Sequence, residues 1–214
     1  MDNIFDLHYR FEWFVRMVTK NNTKQCYILE CDIKKFFASV DQQTLVSLLN
    51  HSYSPESRSG VIELLEEIIF SFKPNGLPLG NLTSQLFANI YLNEFDRFVK
   101  HKLKVKYYIR YADDFVIFSE NRKYLESLIP AIKDHLQNEL KLTLHPDKIF
   151  IKTIYSGMDY LGWINFKDHK ILRTKTKQRM LRRIKESPKP EIINSYLGLL
   201  GHGNTQKLRD KILD

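Results

Sequence analysis

Two adjacent carboxylates, Asp113 and Asp114, interrupt the run YIRYADDFVIF (108–118), whose aromatic and β-branched residues otherwise read as two strands of a hairpin. Two-residue hairpin turns favour Asn-Gly or Asp-Gly because their central positions need positive φ, and Ala112-Asp113-Asp114-Phe115 offers neither pair. Aspartate also favours turns for its own reasons, so the stretch alone leaves an ordinary turn and a functional one both open. A third carboxylate, Asp32, lies in CYILECDI (26–33), where strand alternation puts Leu29, Cys31 and Ile33 on one face and Glu30 and Asp32 on the other. Three aspartates brought together repel one another and do not all stay ionised without cations between them. Hard carboxylate oxygens call for Mg²⁺, with Mn²⁺ as the substitute. Two such ions about 3.5–4 Å apart activate an attacking hydroxyl and stabilise a departing phosphate. In that arrangement Asp32 and Asp113 bridge the ions and Asp114 tunes the site from its edge. Polymerase and nuclease chemistry both fit.

The elements that must position these carboxylates are legible as periodicities. A helix is expected over residues 10–20, then a polar turn and the strand carrying Asp32. Asp41 is placed to cap a helix reaching Asn50, and an apolar helix follows at Val61–Phe72 before the turn KPNGLPLGN. From Leu82 to Val99, Leu82, Leu86 and Ile90, with Phe87, Tyr91, Phe95 and Phe98 beside them, recur at helical spacing. The hairpin occupies about 106–119, a helix about Arg122–Asn138, and a strand about Leu142–Lys152. From Cys26 onward the order is β, helical insertion, α, β, β, α, β. That order predicts an α+β fold of the ferredoxin-like (split βαβ) kind, with Asp32 and the hairpin on neighbouring strands. Short strands at about 158–166 and 171–173 precede a basic helical tail broken at SPKPE. The expected division is an N-terminal helix and turn over 1–26, a central domain over 27–166 and a basic helical segment over 167–214.

Charge is distributed unevenly. Residues 167–189 hold ten Lys or Arg against two acids, Asp168 and Glu186, while the rest of the 214-residue chain balances at 23 of each sign. Concentrated positive charge is the footprint of a polyanion, although a solvated basic helix face looks similar. Cys26 and Cys31 are too few and too isolated for a zinc site or disulfide framework and read as core thiols. No apolar run approaches the ~20 residues that span a bilayer, and the start Met1-Asp2-Asn3-Ile4-Phe5-Asp6 lacks the pattern of a signal peptide. The expectation is a cytoplasmic protein with no membrane partner.

Five segments, CDIKKFFASVD, GLPLGNLTSQLFANIYLNEFD, YADD, LTLHPDK and YLGW, resemble in order and approximate spacing the palm motifs of reverse transcriptases, over about residues 27–165. That superfamily commonly reads Pro-Gln-Gly and then Ser-Pro where this chain has Pro78-Leu79-Gly80 and Ser84-Gln85. An aliphatic residue before the glycine, with Gln in place of Pro, resembles the enzymes of diversity-generating retroelements. These copy a template RNA into cDNA with frequent errors opposite adenine, and the copy replaces a variable region of a target gene. SYLGLLGHGNTQKL is similar to their thumb.

The resemblance implies a palm with a basic helical thumb and RNA-directed DNA polymerase activity. It makes Asp32, Asp113 and Asp114 ligands of two Mg²⁺ ions, with the Ile33 carbonyl as a further ligand. Backbone amides of Lys35 and Phe36 meet the triphosphate, and Phe37 stacks under the sugar to reject a 2′-hydroxyl. Gly80 to Gln85 line the templating and incoming bases, with Leu79, Asn81 and Tyr111 facing template or primer. Lys148 protonates the pyrophosphate, and Tyr160-Leu161-Gly162 resembles a primer grip. Lys175, Lys177, Arg179, Arg182 and Arg183 are expected on the thumb against the primer–template backbone. The implied partners are an RNA template, a DNA or RNA primer with its cDNA, deoxynucleoside triphosphates and a basic accessory protein of the retroelement. A bacterial or phage gene is the expected source.

Reverse transcriptases carry a fingers region before the first aspartate motif, and only 31 residues precede Asp32. The expectation is that most of the fingers is missing, which leaves open whether this chain is active alone. Three rival readings stand beside the polymerase of a diversity-generating retroelement: a reverse transcriptase of an intron-like or defence-associated lineage, a silent palm and thumb that only binds nucleic acid, and a metal-dependent nuclease, which needs neither Phe37 nor the template-reading turn.

Overall fold

In this computed structural model the described residues are 4–52 and 60–213. Met1 to Asn3, part of the start read for a signal peptide, lie outside them. Contacts divide the chain into two units, one made of residues 1–27 and 152–214, the other of Ile28–Ile151. Residues 152–166, expected with the carboxylates, therefore cluster with the N-terminal and C-terminal segments.

The unit spanning Ile28–Ile151 carries the expected order. β1 (Tyr27–Asp32) is followed by the short helix α2 (Phe36–Ser39), then α3 (Gln42–Ser52), α4 (Val61–Phe70) and α5 (Leu82–Arg97). A π-helical turn, Phe98–Lys102, leads to β2 (Tyr108–Tyr111) and β3 (Asp114–Ser119), then α6 (Arg122–Leu140) and β4 (Phe150–Thr153). The strand order is β2-β3-β1-β4, so β3 and β1 are neighbours as expected. Leu29, Cys31 and Ile33 are fully buried while Glu30 and Asp32 are only half-buried, as the alternation requires. Phe115 to Phe118 of β3 are all buried, which explains an apolar run without alternation. Both cysteines are buried and free.

Caps set several boundaries. The Asp41 carboxylate accepts from the Thr44 amide at 2.8 Å and starts α3. Asn121 Oδ1 accepts from the Tyr124 amide at 3.2 Å and starts α6. Inside the unit, the Tyr91 hydroxyl donates to the Leu140 carbonyl at 2.6 Å, fastening α5 to the end of α6.

The helix expected over Leu82–Val99 is present as α5, and one expectation, the strand over about 142–152, needs correction. The buried side of α5 is Phe87, Tyr91, Leu92 and Phe95, whereas Leu82 and Leu86 are 84% and 56% exposed. The helix is apolar on more than one side, so its period did not single out the face that the sheet and α6 cover. The strand expected at about 142–152 is broken at Pro146, which has no N–H for a ladder; a 3₁₀ turn occupies Pro146–Lys148 and the regular strand begins only at Phe150.

The other unit holds α1 (Ile4–Val18), the antiparallel strands β5 (Met158–Tyr160), β6 (Trp163–Asn165) and β7 (Lys170–Leu172), and three helices, α7 (Thr174–Glu186), α8 (Pro190–Leu200) and α9 (Gln206–Leu213). Trp163, Leu172, Met180 and Leu200 form one buried cluster in it, with Leu208 and Ile212 packed against them. The half-buried Lys170 side chain pairs through its ammonium with Glu12 at 2.7 Å and ties β7 to α1. Among the described residues no helix is long and apolar enough to cross a membrane.

Candidate active site

The end of β1 is held from both sides. The Ile33 amide donates to the Asp113 carbonyl at 3.2 Å, the Lys34 amide to the Thr143 carbonyl at 2.9 Å and the His145 amide to the Asp32 carbonyl at 2.8 Å. Asp32 thus sits between the hairpin turn and the segment leading to Lys148, and the Lys148 ammonium reaches its Oδ2 at 2.6 Å.

The two-residue turn sits one residue earlier than expected. Tyr111 pairs with Asp114, so the two loop residues are Ala112 and Asp113, and Asp114 is the first residue of β3. Ala112 takes φ 52°, a left-handed conformation costing about 1–2 kcal/mol in a residue other than glycine. Lys35, at the start of α2, is also left-handed (φ 49°), as is Leu161 (φ 50°). Left-handed residues other than glycine therefore fall in three of the quoted motifs, where backbone strain is held by surroundings.

The carboxylates sense one another. Burial, a carboxyl–carboxyl hydrogen bond with Asp32 and repulsion from Asp113 push Asp114 up to about 7. Burial foremost, and then the Asp32 charge, raise Asp113. The hydrogen bond to Asp32 foremost, with the charges of all three carboxylates, raises Lys148. Among the described residues no group of three or more His, Cys, Asp or Glu side chains is already gathered to hold a metal ion. The donor chemistry nevertheless fits a divalent cation: the three carboxylates offer only hard oxygens, and their mutual repulsion is what a cation relieves.

Beside this cluster, Phe36 and Phe37 part company. The Phe36 ring is buried in the core; the Phe37 ring is half-buried, with the two centroids 5.3 Å apart. The turn KPNGLPLGN is pinned beneath Phe37, whose carbonyl accepts from the Leu77 amide at 2.7 Å, while the Val40 carbonyl accepts from the Gly76 amide at 3.1 Å. Beyond the pinned residues, Leu79 is 78% exposed, Gly80 takes φ 91° in open space, and Asn81 and Gln85 are exposed at the start of α5. Tyr111 is at the margin of exposure.

In the other unit, Leu161 and Gly162 form the two-residue turn of the β5–β6 hairpin, both at positive φ. The Tyr160 ring is buried and stacks on Phe11 at 5.1 Å. Only the turn, not that ring, is presented at the surface. Lys175, Lys177, Arg179, Arg182 and Arg183 are all exposed on α7, whose one buried residue is Met180.

Sequence reasoning missed two supports. Gly76 (φ 87°) lies so close to α2 that a Cβ there would sit 2.7 Å from the Phe37 carbonyl oxygen. Gln42 holds the same loop, its amide donating to the Phe72 and Gly76 carbonyls at 2.6 and 3.0 Å. A second group, Asp96, Tyr108 and Arg110, lies behind the carboxylate turn. The signal for it was a charged residue, Arg110, in an otherwise apolar strand.

Residues 2–165 match the family described as reverse transcriptase (RNA-dependent DNA polymerase). The chain belongs to that family. Among curated relatives, it is 31% identical over 125 residues to the group II intron-encoded protein LtrA of Lactococcus lactis, covering 56% of this chain and 18% of that protein. It is 23% identical over 213 residues to protein YkfC of Escherichia coli K12, covering 80% of this chain and 54% of that protein. The chain thus spans about half, or less, of the length of these relatives. Among solved structures, apo telomerase from Candida tropicalis, truncated from its C-terminal domain, superposes with a TM-score of 0.65 at 14% identity, covering 81% of this chain and 40% of that one. Telomerase from the same organism in complex with a TWJ fragment of telomeric RNA gives 0.63 at 12% identity, covering 100% of this chain and 41% of that one. At such identities the likeness concerns the fold.

Proposed function

We propose that this chain carries the palm of an RNA-directed DNA polymerase, with Ile28–Ile151 as a ferredoxin-like palm and α7–α9 as thumb. The observation that carries the reading is the seating of Asp32 beside the Asp113–Asp114 turn, with the Lys148 ammonium 2.6 Å from Asp32, in a chain of this family. Mg²⁺ held by Asp32, Asp113, Asp114 and the Ile33 carbonyl, as two ions, would neutralise the carboxylates and activate the primer 3′-hydroxyl. Lys148 holds a proton at Nζ for the leaving pyrophosphate. The amides of Lys35 and Phe36 bind the triphosphate, and the Phe37 ring occupies the space a 2′-hydroxyl would need. Leu79 to Gln85 and Tyr111 face the bases. The Leu161–Gly162 turn grips the primer, and α7 binds the primer–template backbone through its lysines and arginines.

The finer assignment, to a diversity-generating retroelement with its error-prone copying and basic accessory protein, rests on Leu79 and Gln85 standing where Gln and Pro are common. The intron-encoded relative at 31% identity favours a second reading, an enzyme of the intron lineage. Primer extension on RNA with Mg²⁺, run with this chain and with a version extended at its N-terminus, tests the activity. RNA-directed cDNA synthesis that Asp113→Asn lowers below a tenth of the parent rate is the expected result, since the substitution removes an anionic ligand. Synthesis undiminished by Asp113→Asn, or none from either version, refutes it.

A further inference from the structure

We infer that Arg110 is a positioning residue: fixed by Asp96 and Tyr108, it holds the Ala112–Asp113 turn and so sets where the Asp113 carboxylate stands. Arg110 lies on β2 with its side chain only 10% exposed. Its Nε donates to Asp96 Oδ1 at 2.8 Å and its Nη2 to Asp96 Oδ2 at 2.6 Å, a two-pronged pair that a planar guanidinium makes and an ammonium cannot. The Tyr108 hydroxyl also donates to Asp96 Oδ1, at 2.7 Å. With two nitrogens committed, the third, Nη1, donates to the Ala112 carbonyl at 3.0 Å. That carbonyl belongs to the left-handed residue of the turn, the one conformation in the hairpin that its own sequence does not favour.

An ion pair as shielded as this one, with the Asp96 side chain 23% exposed, is a poor device for stability alone, because well-packed apolar residues of similar volume often serve as well or better. What apolar residues cannot reproduce is the donor to Ala112. Asp96 stands in the last turn of α5, the helix whose first turn carries Gln85. The pair therefore fixes the carboxylate turn to the same rigid rod that presents the proposed base-reading residues, and registers the two to each other. Neither Asp96 nor Arg110 touches substrate in this scheme; both act through the backbone of the turn. The inference rests on the polymerase reading for its kinetic consequence only.

The test is the triple variant Asp96→Leu/Tyr108→Phe/Arg110→Met, which leaves no buried charge unpaired, studied beside Arg110→Lys, which keeps the charge and loses the fork. The Ile33 amide donates to the Asp113 carbonyl, so its hydrogen exchange reports the turn directly. In both variants, exchange at Ile33 is expected to rise at least tenfold with the interior amides of β1 unchanged. In RNA-templated extension, kcat is expected to fall at least tenfold with KM for primer–template unchanged. If the triple variant does not fold, Arg110→Lys decides alone. Parent-like exchange at Ile33 in a folded variant overturns the inference, as does a parent-like kcat. If the parent makes no cDNA, the polymerase reading fails, and the exchange measurement by itself decides whether Arg110 holds the turn.

Discussion

Replacing Gly76 with alanine isolates the close approach that seats Phe37. Gly76 and Gly80 share nearly the same backbone strain, φ 87° and 91°, but differ in surroundings. An added Cβ at Gly76 meets the Phe37 carbonyl at 2.7 Å and the Ala38 Cα and carbonyl at 2.9 Å, all of them backbone; at Gly80 it meets nothing within 4 Å. Each alanine is disfavoured by about 1–2 kcal/mol for the positive φ. Gly76→Ala adds an overpacking term of about 1–3 kcal/mol, because a helix backbone cannot swing aside as a flexible side chain can. The difference between the variants is thus about 2 kcal/mol, or about 6 °C in Tm for a chain of this size. Thermal unfolding of parent, Gly76→Ala and Gly80→Ala under one condition measures it. Any relief that α2 finds moves Phe37, so Gly76→Ala should also relax discrimination between deoxy- and ribonucleotides, whereas Gly80→Ala should not. Equal Tm losses for the two alanines would refute the packing argument.

The Asp114 carboxyl, raised to about 7 from an ordinary 3.8, contributes stability in full below about 3.8 and loses it as pH climbs to about 7. Without divalent metal, Asp114→Asn should therefore gain on the parent between pH 4 and 8, by about 1 kcal/mol once screening by the solvent that still reaches this partly desolvated carboxyl is allowed for; a pH-independent difference in Tm contradicts this. Replacing Lys175, Lys177, Arg179, Arg182 and Arg183 with alanine should flatten the salt dependence of primer–template binding by about 0.7–0.9 in log–log slope per lost phosphate contact, and an unchanged slope removes α7 from the interface. Leu79→Gln should lower misincorporation opposite template adenine more than opposite other bases, with a modest change in rate, because a positioned polar group restores directional discrimination. Sequencing cDNA made from one RNA carrying all four bases checks it, and identical error spectra move the cause elsewhere.

Local chemistry was readable wherever the structure obeys it. The alternation of β1 put Leu29 and Cys31 inside, Asp41 capped its helix, and the apolar run of β3 is buried throughout. What failed to show depends on partners distant in sequence. Leu82 and Leu86 keep helical spacing yet face outward, since the buried side of α5 is chosen by contacts such as Tyr91 to Leu140. The turn residues shifted by one because Ala112 adopts an unfavourable φ that Arg110 supports from outside the turn. Gly76 looked like a turn glycine, and nothing local revealed the backbone passing against it. The hairpin at 158–165 looked continuous with the strands before it, but its core partners are Phe11 and the C-terminal helices.

The unit built from residues 1–27 and 152–214 is interrupted by the whole of the other. A chain made from its N-terminus exposes α1 long before β5 to α9 exist, so α1 must wait while the intervening unit is synthesised. That intervening unit is contiguous, and its first and last strands, β1 and β4, are neighbours in the sheet. Once it folds, the entry and exit of the chain are side by side, and the entropy of closing a long loop has already been met. The contiguous, carboxylate-bearing unit is thereby a clasp for the chain: its own fold brings the segments on either side of it together at residues 27 and 152.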